Sequence, residues 1–292
     1  MTCLPWTLVD EPWSCEKARE EIGCVSVIGV DTEYDSFRYF REKLCLLQVS
    51  TGTMVYLFDP QGTGDFSFLG RLFQDPEILK VLHAGDNDTR FLHRDYGFVF
   101  NSIFDTHRAA ILLGGTALSL PGVLKEYLGL EVKKEKKVQR SRWDIRPLQE
   151  KQLAYAACDA ACLIPLYEAM RMKLRQRGLE ADALNAFRDL AAGRWREKEL
   201  SPRGHERIRG FEMLDKAGRE RLKALYHWRF EWARKTNRAR FMIMSDQDLV
   251  TLAGTGPCSL EALASSGLLS KHQVKELGED LIRVLAAVTA DL

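Results

Sequence analysis

The chain has 292 residues, 46% hydrophobic and 28% charged, which suits a globular protein with a sizeable core and room for about two domains. Its net charge of +1 excludes a polycation, yet residues 191–240 hold fifteen Lys and Arg against seven Asp and Glu. The longest uncharged run, 109–124, is broken by Gly114, Gly115 and Pro121 and is too short to span a membrane.

The N-terminus lacks the basic-then-apolar pattern of a signal peptide, so a cytoplasmic location with no membrane partner is expected. The seven cysteines are Cys3, Cys15, Cys24, Cys45, Cys158, Cys162 and Cys258. Their odd number and the lack of any C-x-x-C spacing favour reduced thiols over a zinc cluster.

Residues 14–22 carry the pattern of a short amphipathic helix, with Ser14 placed as its N-cap. The apolar run 25–30 reads as a buried strand ending at Asp31. Residues two apart on a strand point the same way, so Asp31 and Glu33 stand side by side. Paired carboxylates on an apolar strand repel, and a divalent cation with oxygen ligands relieves them. Residues 44–50 and 54–58 are apolar runs separated by Thr51-Gly52-Thr53, the pattern of a β-hairpin.

A strand over 78–84 precedes a helix from about Asn87 to Tyr96, stopped by Gly97. Asp88 falls in the first turn of that helix, where it complements the macrodipole. Asp86 reads as its N-cap, and His83 as a hydrogen-bonded residue at the strand end. A strand over 98–104 and a helix over 105–113 follow. Strands alternating with helices indicate an α/β domain. Beyond about residue 148 the pattern is helical. Tyr155 and Asp159 are four apart within the helical stretch 149–170 and so share a face. Asp159 sits among small and apolar residues, where a carboxylate needs a partner: a metal or an Arg.

Taken together, the order is Asp31-x-Glu33, then His83-x4-Asp88, then Tyr155-x3-Asp159. This resembles the three exonuclease motifs of the DEDD superfamily, in the subgroup with Tyr in the third motif. The stretch 28–34 (Ile-Gly-Val-Asp-Thr-Glu-Tyr) is similar to the first motif of the ribonuclease D family. Residues 44–50, Phe104-Asp105-Thr106, Trp143 to Leu148 and 155–167 are similar to further stretches of that family. The likeness spans most of residues 5–172. Residues 222–260 resemble an HRDC domain: Leu222 to Arg229, Ala233-Arg234, Asp246, Leu249, Leu252-Ala253, Pro257 and Leu260. The usual Asp-x-Pro ahead of the central helix is absent here, where residues 236–240 read Thr-Asn-Arg-Ala-Arg. Ribonuclease D tends to carry two such domains, and this chain has room for one.

The resemblance implies a ribonuclease H-like α/β exonuclease domain with a mixed central sheet, followed by an all-α HRDC-like domain. The expected boundaries are an exonuclease domain over 1–191, a basic linker over 192–212 and a helical nucleic-acid-binding domain over 213–292. It also implies that Asp31, Glu33, Asp88 and Asp159 hold two divalent cations, Mg²⁺ or Mn²⁺, about 3.5–4 Å apart. Tyr155 would orient the attacking water; a free phenol titrates near ~10 and makes a poor base. The expected activity is 3′-5′ exoribonuclease cleavage that releases nucleoside 5′-monophosphates.

The expected partner is RNA with a free 3′ end, tRNA precursors included, with no obligate protein partner. DNA ends are the alternative substrate, and a non-catalytic nucleic-acid-binding role is the third reading. Thr32 and Gln48 are candidates to touch substrate. Lys133, Lys134, Lys136, Lys137, Arg140 and Arg142 are candidates to follow its phosphates; the other reading of that stretch is a solvated loop. Arg229, Arg234, Lys235, Arg238 and Arg240 could extend the grip. Trp228 and Trp232, at i and i+4, read as core rather than as stacking platforms.

Overall fold

Residues 4–132 and 135–290 are described in the computed structural model, so Cys3, Lys133 and Lys134 lie outside the described residues. They form two units. The first runs to Asp35 and from Lys43 to Arg196; the second takes Ser36–Glu42 and everything from Glu197 onward. The Ser36–Glu42 loop thus belongs with the second unit. That loop joins two strands of the first unit, and its allegiance is fixed by long-range packing that no local pattern encodes.

The first unit is built on a six-stranded sheet of β1 (Trp6–Val9), β2 (Val27–Asp35), β3 (Lys43–Ser50), β4 (Val55–Phe58), β5 (Leu79–Leu82) and β6 (Ile103–Asp105). The strand order is β1-β4-β3-β2-β5-β6. β3 is antiparallel to both β2 and β4, while β5 and β6 continue the sheet parallel to β2, and β1 is parallel to β4. The sheet is mixed, as expected. Its helices are α1 (Pro12–Ile22), α2 (Leu69–Gln74), α3 (Asp86–Tyr96), α4 (Thr106–Leu112), α5 (Leu120–Leu128), α6 (Lys136–Gln139), α7 (Glu150–Ala161), α8 (Leu163–Gln176) and α9 (Glu180–Ala192).

Alternation along β2 and β3 feeds two cores. Ile28, Val30, Leu47 and Val49 pack with Ala18 and Ile22 of α1, Phe73 of α2 and Leu92 of α3. Leu46, Val55 and Leu57 pack with Ala156, Ala157 and Ala160 of α7 on the opposite side. Several expectations shift at element ends. Glu11, not Ser14, caps α1, and Ser14 closes the reciprocal capping box from the third helical position. The strand expected at 25–30 extends to Asp35, which puts Asp31 and Glu33 inside it. The helical stretch 149–170 breaks at Cys162 into α7 and α8.

The second unit contains α10 (Lys216–Thr236), α11 (Arg240–Ile243), α12 (Asp246–Thr255), α13 (Leu260–Ser265) and α14 (Lys271–Ala290). Leu222, Leu225 and Phe230 of α10 form one core with Leu249 and Leu252 of α12, Leu263 of α13 and Leu277 and Leu281 of α14. The side chain of Asp215 caps α10 by accepting from the Gly218 N–H at 2.7 Å. Within the stretch expected as a basic linker, Ile208 is buried in this core.

Five cysteines, Cys15, Cys24, Cys45, Cys162 and Cys258, are free thiols. Cys158 is disulfide-bonded, so the expectation of reduced thiols fails there. The stretch Glu150–Gln176 has the length and hydropathy of a membrane span, but half of its apolar window is buried in the fold. That is the behaviour of a core helix pair.

Candidate active site

Period two on β2 sends Ile28 and Val30 into one core and turns Gly29, Asp31 and Glu33 the other way, toward α7. Gly29 makes room there. A Cβ at this position would stand 3.0 Å from the Ala160 carbonyl oxygen and 3.1 Å from Leu163 Cβ. The missing side chain lets the junction of α7 and α8 lie against β2, beside Asp31. The i, i+4 spacing on α7 then presents Tyr155 and Asp159 together. The Tyr155 hydroxyl donates to the Asp159 carboxylate. Its ring packs 6.3 Å from that of buried Trp143.

Asp88 arrives from the first turn of α3. The end of β5 and the start of α3 are pinned by Asp105 and Thr106. Asp105 is fully buried and accepts from the Gly85 N–H at 2.9 Å and the Arg108 N–H at 2.8 Å. The Thr106 hydroxyl donates to the Leu82 carbonyl at 3.0 Å and stands 2.9 Å from His83 Nδ1. Gly85, not Asp86, is the N-cap of α3; Asp86 is its first residue and pairs with Arg108 at 2.7 Å. On Asp88 itself, one carboxylate oxygen accepts from the Thr32 hydroxyl.

Asp31 and Glu33 feel the other acids of the cluster. Burial, then the charges of Asp88 and Asp159, push the Asp31 carboxyl well above the usual range. Burial, then Asp31, Asp159 and Asp88, do the same to Glu33. Burial raises Asp88 to about 6 against the hydrogen bond from Thr32. Burial raises Asp159 to about 6 against the hydrogen bond from Tyr155. Tyr155 is pushed upward by burial and by Asp159, so its hydroxyl stays protonated at neutral pH. The cluster is open: among the described residues no three acidic, His or Cys side chains stand close enough to form a ready-made metal cage. The donor set nevertheless fits a hard divalent cation. It is all oxygen, and its repulsion is of the kind that cation charge relieves.

Asp31, Glu33, Tyr155 and Asp159 line a cleft of about 340 Å³. Thr32, Lys136 and Arg140 line it too, on the side expected to meet substrate. Two other candidates lie elsewhere. Gln48 sits opposite Asp31 in the β2–β3 register but is fully buried, and neither polar atom of its amide has a partner among the described residues. Enclosure in the sheet keeps it from substrate. Arg142 does not line the cleft; Asp144 holds it through two contacts of 2.7 and 2.8 Å. A further part of the lining, Ser119, Leu120, Pro121 and Val132, went unread in the sequence. Its signal was the Ser-Leu-Pro helix start, a capping pattern with no chemistry of its own. His83 also faces the cleft, with its imidazole held neutral mainly by burial.

Comparison with known proteins matches the 3′-5′ exonuclease family over residues 8–175 and the HRDC domain over residues 219–285. The exosome complex component 10 homolog of Drosophila melanogaster is 30% identical over 263 residues, 88% of this chain and 29% of that protein. Ribonuclease D of Gluconacetobacter diazotrophicus is 29% identical over 269 residues, 90% of this chain and 67% of that protein. The crystal structure of Escherichia coli RNase D, an exoribonuclease involved in structured RNA processing, superimposes with a TM-score of 0.71 at 26% identity, covering 98% of this chain and 76% of that one. The chain thus spans under a third of the exosome relative's length and about two thirds of the bacterial one's. With its exonuclease motifs on a mixed sheet and an HRDC domain behind them, the chain belongs to the 3′-5′ exonuclease family, in the ribonuclease D arrangement.

Proposed function

We propose that the protein is a metal-dependent 3′-5′ exoribonuclease that removes nucleoside 5′-monophosphates one at a time from RNA 3′ ends. The observation that carries this is the set of three carboxylates, Asp31, Glu33 and Asp159, lining one cleft with Lys136 and Arg140, with Asp88 near enough for its charge to act on Asp31 and Glu33. Asp31, Glu33, Asp88 and Asp159 are the residues that would hold two divalent cations, Mg²⁺ or Mn²⁺. Bound there, such ions supply charge stabilisation and an acidified water at the terminal phosphodiester. One oxygen of Asp88 accepts from the Thr32 hydroxyl. Tyr155, protonated and anchored on Asp159, orients the attacking water as a hydrogen-bond partner. Lys136 and Arg140 at the cleft hold substrate phosphates, and Thr32 borders the terminal nucleotide.

Structured RNA such as tRNA precursors suits this site joined to a helical nucleic-acid-binding unit. A cytoplasmic setting suits reduced-thiol chemistry at the five free cysteines. The test uses purified full-length protein with Mg²⁺ or Mn²⁺ on 5′-labelled RNA and DNA of matched sequence. Stepwise shortening of the RNA from its 3′ end, with mononucleotide product, is expected. RNA left intact with both metals would overturn the proposal. Faster shortening of DNA would move the activity to DNA ends, since the 2′-hydroxyl is what separates the two substrates.

A further inference from the structure

Gln48 lies on β3 and is fully enclosed, yet neither its amide nitrogen nor its amide oxygen has a partner among the described residues. An enclosed amide without partners is costly, and native folds keep few such groups. Alternation along β3 sends Leu47 and Val49 into one core and turns Gln48, with Leu46, to the face that α7 covers. Directly opposed residues of an antiparallel pair share a face, so Gln48 and Asp31 stand on this one together.

The surroundings of the amide point to its partner. Its two directly opposed neighbours are Leu57 of β4, which is apolar, and Asp31 of β2. Over this face α7 packs Ala156, Ala157 and Ala160, none of which has a polar side chain. Two residues along β3 the Ser50 hydroxyl already accepts from the Gly52 N–H at 3.3 Å. Opposed side chains start about 5 Å apart at Cβ, a gap that a glutamine spans. Asp31 accepts from the Thr32 backbone N–H, and a carboxylate has room for further donors. A neutral amide is the donor that suits this place. It orients a carboxylate without competing for it with a charge of its own, as Lys or Arg would.

We propose that Gln48 is a positioning residue: its side-chain N–H donates to the Asp31 carboxylate and fixes the orientation in which that carboxylate meets a divalent cation. The role rests on the metal-dependent reading of the site, and it needs no contact between Gln48 and substrate. The experiment compares wild type with Gln48→Met, which keeps the unbranched length and loses both polar atoms, and with Gln48→Leu as a second apolar variant. Mn²⁺ binding is titrated by calorimetry, thermal melts are run without metal, and kcat and KM are measured on labelled RNA. The Gln48→Met change is also made on the Asp31→Asn protein.

In both apolar variants Mn²⁺ affinity should fall about 10–100-fold, and kcat with it, while KM for RNA stays within about twofold. The metal-free melting temperature should equal or exceed that of wild type, because an unsatisfied buried amide has been removed. On the Asp31→Asn background the same change should alter Mn²⁺ affinity by under about twofold, since the carboxylate it positions is gone. Wild-type Mn²⁺ affinity in both apolar variants would overturn the role of Gln48 and leave the metal site standing. A metal-free melting temperature that drops together with the affinity would make Gln48 an ordinary part of the fold, which also overturns it. No saturable Mn²⁺ binding by wild type would overturn the metal-dependent reading and this role with it.

Discussion

Changing Asp31 to Asn should lower kcat at least about 10³-fold while leaving RNA affinity within about twofold of wild type. Asn keeps the size and strand position of Asp31, opposite buried Gln48, but cannot ionise. In the proposed site, cation binding depends on an ionised carboxylate there, whereas the phosphate contacts proposed for Lys136 and Arg140 do not. Single-turnover cleavage and anisotropy on the same preparation measure the two effects separately. A rate close to wild type would remove Asp31 from the reacting centre. A matching loss of RNA affinity would assign it to substrate binding instead.

The largest expected effect on stability comes from Arg146. Its guanidinium donates to both oxygens of Asp59 at 2.5 and 2.7 Å, to the Cys45 carbonyl at 2.7 Å and to the Trp143 carbonyl at 2.7 Å. Asp59 is buried just after β4, Cys45 is on β3, and Arg146 lies on the segment leading to α7. This one side chain therefore fastens the approach to the Tyr155–Asp159 helix onto the sheet. Arg146→Ala would leave the buried Asp59 carboxyl without its cation and with only the Gln61 N–H to bind it, at a cost of about 3 kcal/mol or more. For a unit of this size that corresponds to a drop in Tm of roughly 6–12 °C in thermal denaturation. A drop of under ~2 °C would show that Asp59 finds another partner or water.

What could be read from the sequence followed the range of the interaction that fixes it. Asp31, Glu33, Tyr155 and Asp159 were legible because strand and helix periods are local and place each pair on one face. Asp88 was legible as a first-turn residue of α3. The four-residue edge strand Trp6–Val9 was not, because it carries no alternation and pairs with β4 some fifty residues on. The attachment of Ser36–Glu42 to the second unit was hidden for the same reason: its anchors lie at residues 237–239. Arg142 looked like one more cation in a basic run, and only the turn that follows brings Asp144 against it. Gln48 looked available to substrate because sequence shows residue type but not enclosure.

Asp88 and Asp159 also give the site a pH signature. Both titrate near 6 in the fold, against 3.8 when free, so protonation favours the metal-free fold. That contribution is complete below about pH 4 and is lost as pH rises through about 6. Divalent cations compete with those protons, so metal stabilisation should grow over the same interval. The most direct measurement is Mn²⁺ titration by calorimetry at pH 5 and pH 7.5, on wild type and on the Asp31→Asn variant. The account predicts saturable binding of two ions per chain at pH 7.5, weaker binding at pH 5, and loss of at least one ion in the variant. No saturable binding at pH 7.5, or equal stoichiometry and affinity in both proteins, would contradict it.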